Sequence, residues 1–404
     1  MSDGTLEKLT RVHGEAHVDE QLPPWGNPRT MEERIAVCRP LLPCAEKLAP
    51  YLSMIDASRR YANHGALVLR LQERLRADFS LPVEVVVASS GTAALAGGIL
   101  AVAGRAPEQR PLCLLPAYTF VGTLSAVELC GFTPYLVDVD PATWMLDPEY
   151  CSSHSMIREV GLVVPVAPYG RPVEQRAWNE FRDRTGIPVV IDGAAAFEAI
   201  VTEPDLYAGD IPVAVSFHAT KIFGTGEGGA VFCSDRDIST AALQCLNFGY
   251  GADRISHRPS LNGKMSEYHA AIGLAELDGW TDKLSGYRRV VYEYLKSWQN
   301  YQMLNSLHTT PSIASNYMIF EAADEFQSLS VQAGLRSRGI GHRMWYGPGL
   351  HRQPYCSSFG RDDLRETESL ADRLIGLPMS ADMTADDVAS VAQTVFQSHR
   401  GALL

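Results

Sequence analysis

The sequence predicts an α/β protein, with a mostly parallel sheet sandwiched by helices and a smaller C-terminal α+β domain. Three observations lead there. Between about Pro82 and Asp235, short apolar runs alternate with helix-length segments, as parallel strands covered on both faces do. Beyond about Ser285 the texture changes to long amphipathic stretches with a few strand-like pieces. A chain of 404 residues also exceeds what one simple core accommodates. The expected division is an N-terminal arm over 1–60, a large domain over 61–285 and a small domain over 286–404.

The N-terminal segment carries Pro23, Pro24, Pro40, Pro43 and Pro50 and reads as extended. The strands expected next are the apolar runs 83–88, 112–115, 134–139, 162–166, 188–191, 213–217 and 229–233. Small residues over 93–102 form one intervening helix, and 173–185 forms another that closes at Gly186. The C-terminal part should hold a long amphipathic helix over 287–302, a strand near 317–320, a helix near 326–338 and a strand near 342–346. The last helix opens at Thr384 with Asp387 three residues on, and Val388, Val391, Ala392, Val395 and Phe396 share one face.

A formal net charge of −12 argues against nucleic acid or an anionic membrane as the main partner. The first twenty residues lack the apolar core of a secretory signal, and no apolar run reaches the length of a membrane span. The eight cysteines are scattered without a CxxC pair, so neither a metal site nor a disulfide framework is expected and a cytoplasmic location fits.

Four segments at the predicted sheet edge carry chemistry. The run 83–88 leads through Ser89-Ser90-Gly91-Thr92 into a helix, and a helix N-terminus after a tight turn presents free N–H groups to an anion. Tyr118-Thr119-Phe120 follows a strand, where an aromatic ring can stack on a planar heterocycle. Asp192 ends the apolar run 189–191 and needs a cationic partner if buried, such as a protonated pyridine nitrogen. Ser216-Phe217-His218-Ala219-Thr220-Lys221 precedes a glycine-rich turn, Gly224 to Gly229, and a lysine so placed is a competent imine-forming nucleophile. Singly, each has a common structural explanation: a packing glycine, a core aromatic, a helix N-cap, a solvated lysine. Together they supply the parts that one cofactor needs.

In this combination the chain resembles the DegT/StrS-type nucleotide-sugar aminotransferases, pyridoxal-phosphate enzymes of the aspartate-aminotransferase fold. The resemblance covers roughly 61–355. It rests on Tyr61-Ala62-Asn63-His64-Gly65, Ser90-Gly91-Thr92-Ala93-Ala94-Leu95, Thr119-Phe120 and Asp138-Val139-Asp140. Ile191-Asp192, the Ser216–Lys221 string with Gly226-Glu227-Gly228-Gly229, Asn247 with Gly249, and Asn262-Gly263-Lys264-Met265-Ser266-Glu267 complete it. The resemblance implies that Lys221 holds pyridoxal 5'-phosphate as a Schiff base and later shuttles the proton. Asp192 would pair with the ring nitrogen and Phe120 would stack on the ring. Gly91, Thr92 and Ser216 would hold the phosphate, with Asn262 reaching over from a second subunit of a homodimer. Tyr346, His351 and Tyr355 would contact the sugar.

The implied reaction moves an amino group from L-glutamate to a keto-sugar carried on a nucleotide. A keto-cyclitol acceptor, or a non-catalytic regulatory protein on the same fold, are the alternatives. Two positions depart from the family pattern. Ala195 stands where Gln or His is frequent, and Lys264 where Arg is common.

Overall fold

The computed structural model describes residues 33–309 and 317–401, and Arg34–Leu404 forms one compact unit. Most of the expected arm, residues 1–32, lies outside the described residues. Within the rest of that arm the structure corrects the extended reading. Ala45–Ser58 is an α-helix that runs through Pro50. The missing hydrogen bond at Pro50 is offset by burial of Tyr51 and Ile55 and by the Tyr51 hydroxyl, which donates to Asp278 at 2.6 Å.

The large sheet contains β1 (Glu84–Ala88), β2 (Leu112–Pro116), β3 (Thr133–Val137), β4 (Val160–Val163), β5 (Ile191–Asp192), β6 (Val213–Ser216) and β7 (Gly229–Cys233). One half runs β1-β7-β6-β5. The other runs β3-β2-β4, with the short β10 (Gly360–Arg361) outside β3. Parallel bridges from Val163 to Val189 and from Val166 to Asp192 join the halves into one sheet. Every pairing is parallel except those of β7, which runs antiparallel to both β1 and β6.

That exception positions the site. Ala88 at the end of β1 and Ser216 at the end of β6 both register on Gly229. Two chain ends far apart in sequence are thereby brought side by side. The helix Gly91–Val102 starts immediately beyond, and its residues from Ala93 to Leu100 are all buried. Small side chains let it lie close against β6 and β7, where a larger stripe would hold it off.

The C-terminal region holds a second, antiparallel sheet in the order β11-β9-β8, formed by β8 (Leu307–His308), β9 (Met318–Glu321) and β11 (Leu374–Leu377). Helices Glu325–Ser337 and Ala385–Gly401 accompany it, the latter opened by the expected reciprocal cap between Thr384 and Asp387. The long helix is Trp280–Asn300, so it carries the chain across position 285 without a break. The stretch 342–346 is not the expected strand. It makes one bridge, Arg343 to Gly376, before Tyr346 enters the left-handed region at φ 65° and turns the aromatic side chains inward. None of the described helices is long and apolar enough to cross a membrane.

Candidate active site

A cavity of about 540 Å³ opens at the carboxyl ends of β1, β2, β5 and β6. Gly91, Thr92, Phe120, Asp192, Ser216, Lys221 and Tyr346 all line it. Asn262, His351 and Tyr355 do not. Asn262 is exposed and accepts a hydrogen bond from Lys264, whose ammonium lies 4.1 Å from the Phe248 ring centre. His351 is buried with Nε2 3.3 Å from a Glu368 carboxylate oxygen, and the exposed Tyr355 donates its hydroxyl to Glu128 at 3.0 Å.

At one end the site is made of main chain. Ser90 caps the helix Gly91–Val102 by accepting from the Ala93 amide at 3.1 Å, and its carbonyl takes the Ala94 amide at 3.0 Å. The Gly91 and Thr92 amides lie in the first turn, where no intrahelical acceptor exists. Ser216, whose hydroxyl accepts from the His218 amide at 3.3 Å, lines the same cavity, so a hydroxyl stands with Gly91 and Thr92 at the positive end of a helix dipole. A Cβ at position 91 would stand 2.7 Å from Ser216 Cβ, and one at Gly229 would stand 2.8 Å from the Gly91 nitrogen. Only glycines permit this junction, which makes it a cradle of the size and polarity of a phosphate.

Asp192 lies at the centre. It is buried; Oδ2 accepts from the Thr123 hydroxyl at 2.7 Å, and Oδ1 from the Ala194 amide at 3.0 Å. Thr119, hydrogen-bonded to Thr123 at 2.8 Å, completes a buried relay of neutral groups. Burial raises the Asp192 carboxyl above its ordinary range, opposed in order by Thr123, the Ala194 amide and the charge on Lys221. Two neutral donors do not fully compensate a buried carboxylate. A protonated ring nitrogen does, and this is the observation by which the site fits a pyridinium cofactor. Phe120 is 63% exposed and lines the same cavity, an apolar face placed where a planar ring can cover it.

Lys221 reaches the cavity from the turn after β6, and its Nζ donates to the Tyr317 hydroxyl at 2.9 Å. Around it stands a box of tyrosines, Tyr118, Tyr169 and Tyr317 buried and Tyr346 half-buried. The hydroxyls of Tyr118 and Tyr169 share a 2.7 Å hydrogen bond, and the Tyr169 amide donates to the Tyr346 hydroxyl at 3.3 Å. Burial raises all three phenols above their ordinary range, so they remain protonated at neutral pH. Ala195 lines the cavity as well but offers no polar side chain.

Thr123 and Tyr317 are the residues that sequence reasoning missed. Thr123 lies one helical turn after Thr119, a spacing that brings the two hydroxyls together, but one threonine in an apolar helix carries no signal by itself. Tyr317 reads as the first residue of a strand, and its partnership with Lys221 spans 96 positions. Among the described residues no group of three or more His, Cys, Asp or Glu stands close enough to hold a metal ion.

The DegT/DnrJ/EryC1/StrS aminotransferase family profile matches residues 44–396. The chain is 30% identical to Protein Rv3402c of Mycobacterium tuberculosis, over 90% of this chain and 89% of that one. It is 28% identical to the dTDP-4-amino-4,6-dideoxy-D-glucose transaminase of Shigella dysenteriae, over 90% of this chain and 99% of that one. The crystal structure of DesI in the presence of its TDP-sugar product superposes with a TM-score of 0.79 at 26% identity, covering 94% of this chain and 96% of DesI. A cradle for phosphate, a buried acid awaiting a cation, an exposed aromatic face and a lysine on one cavity match what pyridoxal phosphate requires. With the family profile spanning most of the sequence, this chain belongs to the DegT/DnrJ/EryC1/StrS family and is a pyridoxal-phosphate-dependent aminotransferase.

Proposed function

We propose that the chain transfers an amino group from L-glutamate to a keto-sugar carried on a nucleotide. The observation that carries this reading is the extent of the cavity. Its lining takes in Tyr346, Gly347, Leu350 and Gln353 as well as the cradle, Asp192 and Phe120, and the cofactor's chemistry does not call upon those four. A second substrate has room there. Support comes from relatives named for such chemistry: the Shigella transaminase, and the UDP-2-acetamido-2-deoxy-3-oxo-D-glucuronate aminotransferase of Pseudomonas aeruginosa at 28% identity.

Gly91, Thr92 and Ser216 would hold the phosphate, Phe120 would support the ring, and Asp192 would keep the ring nitrogen protonated. When bound, pyridoxal phosphate supplies an electron sink for negative charge at the donor's α-carbon. Lys221 would anchor the cofactor through Nζ, and the same nitrogen would take up and return the proton at that carbon. Tyr346 serves the sugar side from within the cavity, and His351 and Tyr355, which do not line it, are the further substrate contacts.

The active unit is a homodimer in which Asn262 of a second copy reaches the phosphate end. Asn262 is exposed outside its own cavity, beside the exposed Phe248, Tyr250 and Ile255, a patch suited to burial against another subunit. The chain is organised as a cofactor-binding region over 61–285 and a smaller region over 286–404, and it works in the cytoplasm.

The test is spectroscopic. The holoenzyme should lose its visible absorption with L-glutamate and regain it with a nucleotide-linked 3-keto or 4-keto sugar. Recovery with keto-inositols in place of nucleotide sugars would identify a cyclitol enzyme. No response to any donor would refute the transfer itself.

A further inference from the structure

We propose that Tyr317 orients the Lys221 amine for proton transfer, and that Trp345, seated on Gly376 of β11, holds Tyr317 in place. This rests on the proposed role of Lys221 as the group that moves the donor's α-proton.

The Tyr317 hydroxyl is 2.9 Å from Lys221 Nζ, and the ammonium sits 5.3 Å from the centre of the same ring. A lysine side chain has four rotatable bonds, and a general base must point its lone pair at one hydrogen. A hydroxyl fixed beside Nζ removes most of that freedom. Its own position is then what matters, and it comes from the C-terminal sheet. Tyr317 immediately precedes β9, which pairs with β11. Its ring meets Trp345 edge to face at 4.9 Å and Tyr169 at 5.7 Å.

Trp345 is placed by backbone. The antiparallel bridge from Arg343 to Gly376 has two hydrogen bonds, of 3.0 and 2.7 Å, two residues before it. The indole then lies directly on Gly376, where any Cβ would collide with its Nε1 and Cδ1. A contiguous stack therefore runs from the backbone of β11, through an indole and a phenol, to the reacting nitrogen. The phenol supplies the polar contact, and the glycine sets its height.

The experiment compares wild type with Tyr317→Phe and Gly376→Ala as holoenzymes, in single-turnover reactions with L-glutamate and with its α-deuterated form. Tyr317→Phe keeps the ring and its packing and removes only the oxygen. It should slow the half-reaction roughly ten- to hundredfold with the KM for glutamate nearly unchanged, and it should raise the deuterium isotope effect. The cofactor-free variant should also capture pyridoxal phosphate more slowly, to the same final stoichiometry, because the amine is no longer aimed. Gly376→Ala should show the same signature with smaller size.

An unchanged isotope effect in Tyr317→Phe, or an effect confined to KM, would overturn the assignment. Loss of the signature in Gly376→Ala, in protein that melts as wild type does, would overturn the role of β11. Failure of wild type itself to respond to glutamate would instead count against the proposed donor.

Discussion

The two ends of the cavity are built by different means. The phosphate end is main chain: strand ends registered on Gly229, a helix start at Gly91, and a junction that admits no Cβ. The opposite end is side chain: Tyr317, Trp345 and Tyr346 line it, with Tyr118 and Tyr169 packed behind them, edge to face or stacked at centroid distances of 4.9 to 6.5 Å. The first kind of construction is rigid because hydrogen-bonded strands and a helix fix it. The second depends on how far apart the large sheet and the C-terminal sheet stand. The difference teaches that holding the cofactor and using it are separable in this molecule, and substitutions should separate them.

Lys221→Ala is expected to have the largest effect, a loss of turnover of about 10²–10⁴-fold, because the anchoring and proton-moving nitrogen disappears. Noncovalent cofactor should persist in the cradle, and mass spectrometry after borohydride treatment should find no covalent adduct at position 221. Covalent retention elsewhere with normal turnover would remove Lys221 from the chemistry.

Asp192→Asn is expected to lower turnover on the order of a hundredfold, since a neutral amide does not hold a ring proton. It also carries a pH signature in cofactor-free protein. Burial raises the folded-state pKa of Asp192 above that of the unfolded chain. Its favourable contribution is therefore complete below the unfolded carboxylate range and is lost as pH rises through the folded value. At neutral pH the cofactor-free Asn variant should thus gain melting temperature on wild type. The gain should vanish on acidification below about pH 4. A difference that grows towards low pH would contradict the buried, uncompensated acid.

Gly91→Ala strikes the main-chain end alone. Its methyl group must displace Ser216, at about 1–3 kcal/mol for an overpacked site. Cofactor affinity, measured by absorbance titration, should fall about tenfold, whereas the half-reaction rate of the saturated enzyme should change little.

Tyr346→Phe strikes the aromatic end alone. It removes the hydroxyl to which the Tyr169 amide donates at 3.3 Å, a loss of about 1 kcal/mol. Cofactor affinity should be unchanged, and the rate with the keto-sugar should drop a few fold. Equal effects of both substitutions on affinity and rate would erase the distinction between the ends.

The same contrast explains what was legible in the sequence. Strand ends with Gly, Asp, Ser and Lys leave local strings, so Gly91, Asp192, Ser216 and Lys221 could be read, and the cavity gathers all four. The strands were readable because buried parallel strands are continuous apolar runs. The expected strand 188–191 is observed as Ile191–Asp192, with Val189 joined to Val163 by one parallel bridge. The aromatic end left no comparable string. Tyr317 and Trp345 meet only through tertiary packing, and the run 342–346 imitates a strand because the residues of an aromatic box are also strand formers. The helix Trp280–Asn300 starts seven residues before the expected 287 and runs through Gly286. Its buried stripe of Tyr287, Val290, Val291, Tyr294 and Trp298 outweighs a penalty of about 1 kcal/mol for that glycine.

The antiparallel course of β7 also has a consequence for the order in which the chain becomes competent during synthesis. Among the described residues β1 has a single strand neighbour in the large sheet, and that neighbour is β7, more than a hundred residues downstream. A nascent chain that has not yet emerged past Cys233 can form β2, β3 and β4 but leaves β1 without a ladder and the glycine junction open. Cofactor capture is therefore a late event in the life of the polypeptide, and until β7 arrives the edge of β1 is a template that a chaperone, or another unfinished chain, is free to pair with.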